Sequence, residues 1–251
     1  MTFKHENNLD QFPELVVHSH KGMRFYEAPN GLKYPSITTV LGKQSGKQKG
    51  LQEWRDRVGA QQAAIISGKA ARRGTAFHNI CEDYLNNIDI QEHKGKNFLA
   101  WCMFNEMKST IDKHIDVIEL QETNMYSDIY MVAGRCDLIG TWNKKLAVVD
   151  FKTTTTPKKE EWIEDYFIQC AAYATMYEEH TKTPVDNLVI AMIAEDGQIQ
   201  IFEKKTEDYL QKLEDMMADF YANKVLSELG SEDVLDTDEV RKFLANQLFD
   251  K

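Results

Sequence analysis

Three side chains in one region have types and spacing that could do chemistry: Asp137, Asp150 and Lys152. The stretch Leu146 to Pro157 reads LAVVDFKTTTTP, an apolar run that ends in a carboxylate and an ammonium two residues apart. Side chains alternate along a strand, so Leu146, Val148, Asp150 and Lys152 share one face, and Ala147, Val149 and Phe151 the other. A strand apolar on both faces suits a central place in a sheet covered by helices. A lone buried charge is costly, which puts both ionic groups at the strand's end, where solvent, a partner or a metal compensates. By itself an Asp-x-Lys triplet is common and reads first as a structural ion pair.

The preceding run AGRCDLIG changes that reading. It sets Asp137, between Gly134 and Gly140, in a hairpin partner of the same sheet. Two carboxylates brought within a few ångströms repel each other unless a divalent cation occupies the space between them. Oxygen ligation suits Mg²⁺ or Mn²⁺, with water and a substrate phosphate completing the shell. An ammonium on the same face would then offset charge developing on that phosphate. Upstream, His78 and Glu82 stand four apart in RRGTAFHNICEDYL, on one helical face. That face is either a solvated polar surface, or a metal or phosphate contact at His78 with a carboxylate, Glu82, behind it. Gln169 and Tyr173, four apart in YFIQCAAYATMY, read first as an amphipathic helix showing Tyr to the core.

The elements that must position these groups follow from periodicity. Residues 1–50 read as short strands around an APNG turn signal, with Ser36 capping a short helix to Gly42 and Gly46 and Gly50 bracketing a flexible basic loop. Helices are predicted over 51–67, 75–88 and about 96–114. Three strands follow, VIELQETNMYSD, YMVAGRCDLIGTW and KKLAVVDFKTTTT, with tight turns at Ser127–Ile129 and Asn143–Lys144. A helix from about Glu160 to Glu179, the strand NLVIAMIA, an EDG turn, the strand QIQIFEK and a helix to about Asn223 complete the order. The expected division is a basic N-terminal region, 1–74, a core, 75–223, and an acidic, loosely attached C-terminal tail, 224–251.

Charge is uneven. The net value is −10, yet residues 1–75 carry 12 Lys/Arg against 6 Asp/Glu. Lys43, Lys47, Lys49, Arg55, Arg57, Arg72 and Arg73 concentrate there, either as solvated surface or as a footprint for phosphates. Trp54, Tyr26 and Tyr34 are candidates to stack bases beside them, or to be buried in the core. The longest apolar run, Leu188–Ala194, is far short of a membrane span. The N-terminal residues lack a signal-peptide layout, so a cytoplasmic compartment is expected. The four cysteines are scattered without a CxxC pair, which predicts separate reduced thiols.

Taken together, Gly74-Thr75-Ala76-Phe77-His78, Gly134-Arg135-Cys136-Asp137, Asp150-Phe151-Lys152 and Gln169-Cys170-Ala171-Ala172-Tyr173 occur in the order of the PD-(D/E)xK nuclease superfamily. They resemble its RecB-like branch in particular. With YPSITTVLG and LQEWRDRVG upstream, the chain is most similar to the mitochondrial genome maintenance exonucleases and their phage-encoded relatives, over about residues 24–203. The resemblance implies an α/β restriction-endonuclease-like core of helix, three strands, helix and strand, a mixed sheet flanked by helices. It implies metal ligands at Asp137, Asp150, the Phe151 carbonyl and His78, with Glu82 matched only by its place on the helix. It implies a catalytic cation at Lys152, and Gln169 and Tyr173 holding the site and backbone phosphates in register. Glu122 would be a further substrate contact, and Thr153 and Thr154 donors to a phosphate. The implied activity is a Mg²⁺-dependent DNA exonuclease, with Mn²⁺ as a substitute. Its substrate would be single-stranded or flapped DNA with a free end, in replication, recombination or repair. The iron–sulfur members of this branch carry a cysteine cluster after Gln-x-x-x-Tyr that is absent here, so no cluster is expected. The alternatives are a structure-specific endonuclease of the same fold and an inactive nucleic-acid-binding module.

Overall fold

The computed structural model describes residues 2–6, 9–20 and 22–229. Strand β1 (Lys4–His5) lies at a sheet edge, and β2 (Val16–His20), β3 (Met23–Glu27) and β4 (Lys33–Pro35) form a separate three-stranded antiparallel sheet. The APNG turn closes its second hairpin, with the Ala28 amide donating to Leu32 O at 2.9 Å. Helix α1 (Ile37–Gly42) starts at Ser36, whose Oγ accepts from the Thr39 amide at 3.1 Å. That side chain satisfies one of the donors a helix start leaves unpaired.

Helices α2 (Ser45–Val58) and α3 (Ala60–Leu85) meet at Gly59, whose φ of 85° is open chiefly to glycine. They correct the helices predicted at 51–67 and 75–88. Gly46 and Gly50 lie inside α2 and do not bracket a loop, and α3 runs unbroken through Gly68 and Gly74. A helical glycine costs only about 1 kcal/mol relative to alanine, which the Lys, Gln, Arg and Ala residues around these glycines offset. The 74/75 division drawn from composition falls within α3, so it separates charge and not folded units. Helix α4 (His93–Lys96) leads to α5 (Phe98–His114), capped by Asn97 accepting from the Ala100 amide at 3.0 Å.

Three antiparallel strands follow: β5 (Ile115–Ser127), β6 (Val132–Trp142) and β7 (Lys145–Thr154). Asn143 and Lys144 both have positive φ, 52° and 65°, which gives the β6–β7 hairpin the two-residue turn that matches strand twist. Helix α6 (Glu164–Thr181) crosses to β8 (Asn187–Ala194), parallel to β7, and β9 (Ile199–Lys205) closes the edge. The resulting six-stranded mixed sheet has the order β1-β5-β6-β7-β8-β9, so β7 is central, as its two apolar faces require. Val148 faces a core shared with Phe167 and Ala171 of α6 and with Leu213 and Met217 of α7 (Glu207–Leu229). Val149 and Phe151 face Phe77 of α3 and Phe104 and Met107 of α5. Each such buried side chain contributes about 1.5–3 kcal/mol. Helix α7 continues past Asn223, where the sequence reading ended it. From position 230 the predicted acidic tail lies outside the described residues. Among the described residues, no helix is long and apolar enough to cross a membrane.

Two irregularities shape the end of the sheet. The β5–β6 ladder pairs Gln121 with Leu138 and Thr123 with Cys136, and between them Glu122 stands opposite Asp137 with a φ of 47°. The β6–β7 ladder stops at Leu138–Val149, so the two strands part at Asp137 and Asp150.

Candidate active site

Where β6 and β7 part, a side chain takes over from the ladder: Asp137 Oδ2 accepts a hydrogen bond from the Phe151 amide at 2.9 Å. Across from it on α3, His78 Nδ1 lies 3.4 Å from the same oxygen. One residue earlier on β7, the buried Asp150 carboxylate is ion-paired with Lys152, whose ammonium also sits 5.0 Å from the centre of the Tyr166 ring. Gln169 Nε2 reaches Asp150 Oδ1 at 3.5 Å and Tyr173 Oη at 3.2 Å. The structure thus gathers Asp137, Asp150, Lys152, His78, Gln169 and Tyr173, residues spread over nearly a hundred positions of chain.

Electrostatics divides the two aspartates. Burial works against ionising Asp137, but the neighbouring His78, Lys152 and the Phe151 amide outweigh it and hold the carboxyl below its ordinary range. For Asp150, burial and the negative Asp137 outweigh Lys152 and push the carboxyl up to about 6. Two acids this close cannot both ionise freely without a cation between them. His78 resists charging through burial, yet Asp137 beside it lifts the imidazole to about 9. Lys152 is likewise raised against its burial, by Asp150 and Asp137. Burial, with Asp137 adding to it, pushes Glu122 up to about 7. Cys81, Cys136 and Cys170 are free and buried, and burial raises all three thiols.

Among the described residues, His78, Glu122 and Asp137 offer ligand atoms that all lie within 4.8 Å of one another. One imidazole nitrogen with two carboxylates fits a divalent cation. The ligand set expected from sequence is only partly gathered in this group. Asp150 is outside it, engaged by Lys152. Glu82 lies 3.7 Å from Arg135 Nη2 and lines a cleft of about 320 Å³ with Gly74, Thr75, His78, Asn79, Glu122 and Arg135. Phe151 supplies its amide to Asp137 while its side chain is buried. Arg135 was missed as a site residue, although strand alternation sets it on the same face as Asp137. Its Nε lies 2.7 Å from Glu122 Oε2.

The basic residues divide. Lys43, Lys49, Arg55, Arg57 and Arg72 are exposed, and α2 buries none of its residues. Lys47 is tied to Asp165 of α6 at 2.6 Å. Arg73, expected on a DNA-binding surface, is instead buried: it ion-pairs with Glu195 and donates to Thr153 Oγ1 at 3.1 Å. It lies on the inner face of α3 and ties that helix to the exit of β7. Thr153 Oγ1 accepts from Arg73 and keeps its own hydroxyl proton, whereas Thr154 already donates its proton to Thr156 O. Tyr26 and Tyr34 are buried and Trp54 half-buried, which removes the two tyrosines as base-stacking platforms.

Gly134 has a packing role that can be tested. A Cβ there would lie 2.7 Å from Tyr173 Cε1 and 3.3 Å from Ile37 Cγ2. Overpacking of this kind costs about 1–3 kcal/mol. Gly134→Ala is expected to push Tyr173 off Gln169, lowering the melting temperature by several degrees and any activity of the site by tenfold or more. Unchanged activity at unchanged stability would show that Tyr173 does not depend on this contact.

A model of the PD-(D/E)XK nuclease superfamily matches residues 97–232, from the start of α5 past the end of α7. A CTP synthase of Methanosarcina mazei is 25% identical over 138 residues, 54% of this chain and 25% of that protein. The chain therefore spans a quarter of the length of that curated relative. A crystal structure from Eubacterium rectale, of a protein named provisionally as an exonuclease, superposes with a TM-score of 0.45 at 14% identity, over 63% of this chain and 68% of that one. The family match covers more than half of the sequence and takes in both parting strands with their aspartates, and this chain belongs to the PD-(D/E)XK nuclease superfamily.

Proposed function

We propose that this chain is a divalent-cation-dependent DNA exonuclease of the RecB-like branch, similar to the mitochondrial genome maintenance exonucleases and their phage relatives. Its substrate would be single-stranded or flapped DNA with a free end, in replication, recombination or repair in a cytoplasmic compartment. The observation that carries the reading is the meeting of Asp137, Asp150, Lys152 and His78 where two strands part. His78, Asp137, Asp150 and the Phe151 carbonyl would hold Mg²⁺, or Mn²⁺ in its place, with Glu82 behind them. When bound, that ion polarises a phosphodiester and acidifies water. Lys152 offsets negative charge on the phosphate in the transition state. Gln169, held by Tyr173, orients Asp150. Residues 1–74 supply the basic track, through the exposed Lys43, Lys49, Arg55, Arg57 and Arg72, and 75–223 supply the nuclease core.

The test is end-labelled linear against covalently closed circular single-stranded DNA, with Mg²⁺ and with a chelator. Loss of linear substrate alone, abolished by chelator, is the expected result. Cutting of circles would replace the free-end requirement with a structure-specific endonuclease. Binding without cleavage of any substrate would replace the enzyme with a binding module.

A further inference from the structure

We propose that Glu122 is a protein ligand of the divalent cation in this site, beside His78 and Asp137, and that Arg135 positions it. The inference rests on the cation-dependent reading above and adds to it a residue and a reason for a distorted strand. Glu122 interrupts a strand of 13 residues with a left-handed backbone, φ 47°, at the one position facing Asp137. Side chains with a Cβ resist that conformation, and glycine or asparagine would accept it more readily. A glutamate kept there is explained by what its side chain reaches. Its side chain is 15% exposed, and its carboxylate joins His78 and Asp137 in a group whose ligand atoms lie within 4.8 Å. Arg135 Nε engages one oxygen, Oε2, at 2.7 Å, and a carboxylate has a second oxygen to offer. The three ligands come from α3, β5 and β6, and the helix is fixed to β5 by Gln121 Nε2 donating to Glu82 O at 2.9 Å. The nearby charges are Glu82 and Asp137 against Arg135, with the Asp150–Lys152 pair beyond.

The test is titration of the full chain with Mn²⁺ alone, without DNA, followed by calorimetry and by electron paramagnetic resonance. It compares the wild type, Glu122→Gln, and Glu122→Gly, which removes carboxylate and backbone strain together. Mn²⁺ affinity should weaken about tenfold or more in both variants, as for other groups that hold or orient a metal. The glycine variant should melt, without cation, no lower than the wild type. Unchanged Mn²⁺ affinity in either folded variant overturns the assignment. Wild-type protein that binds no Mn²⁺ at millimolar concentration overturns it together with the cation-dependent reading. Weakened Mn²⁺ binding in a protein that cleaves no DNA keeps Glu122 as a ligand and removes only the nuclease reading.

Discussion

Lys152→Met is expected to slow DNA cleavage roughly 10²- to 10³-fold, the scale on which a preorganised group aimed at transition-state charge acts, while leaving the protein folded. Lys152 is half of a buried ion pair. Removing one partner of such a pair commonly costs about 3–5 kcal/mol, since the other charge is left uncompensated. Here the remaining partner has an escape. Burial and Asp137 already push Asp150 up to about 6 with the ammonium present. Without the ammonium its affinity for a proton rises further, so near neutral pH the carboxyl is held as a neutral acid and the desolvation cost largely disappears. Methionine keeps an unbranched apolar stem against the Tyr166 ring, which a shorter residue would not. Single-turnover cleavage rates and melting curves measured on the same preparations decide the matter. A folded variant that cuts at the wild-type rate would return Asp150 and Lys152 to the status of a structural ion pair.

The parts of this site that follow regular strand and hairpin geometry were legible in the sequence, and the parts made by departures from it were not. Period-two alternation places Asp150 and Lys152 on one face of β7, and the Asn143–Lys144 turn brings Asp137 onto the neighbouring strand. The element order of the core was legible for the same reason: long amphipathic and apolar runs declare their period. Glu122 is the counterexample. Regular alternation says little about a residue whose own backbone turns left-handed in mid-strand, and no glycine marks the place. Arg73 is another, since a basic cluster on a helix looks uniform in sequence while the helix turns one member inward to Glu195. Glycine misleads in the same way: Gly46 and Gly50 suggest a loop where the structure has α2, because the helix-forming residues around them offset a penalty of about 1 kcal/mol. The division of charge between Asp137 and Asp150 was beyond sequence altogether, as it depends on which acid the imidazole of His78 lies beside.

That division makes thermal stability depend on pH in a direction set by the site. Asp150 rises from its ordinary 3.8 to about 6, Glu122 from 4.5 to about 7, and His78 from 6.5 to about 9. In each case the folded chain holds its proton more tightly than the unfolded one. The stability linked to each group is therefore fully present below its unfolded pKa and lost as pH rises through its folded pKa. Asp137 runs the other way: its lowered pKa contributes stability above 3.8 that is lost in stronger acid. Without divalent cation, the contribution of Asp150, Glu122 and His78 should fall between about pH 4 and pH 9. A cation competes with those protons for the same atoms, so its stabilising effect should grow over the same interval. At a free concentration a hundredfold above its dissociation constant it contributes about 2.7 kcal/mol, or roughly 5–10 °C in melting temperature for a chain of this size. Melting curves with Mg²⁺ or Mn²⁺ against chelator, at pH 5.5 and pH 8, should show that gain at the higher pH and less than half of it at the lower. An equal shift at both values would mean that the ion binds away from these titrating groups, and no shift at either would remove the cation from the site.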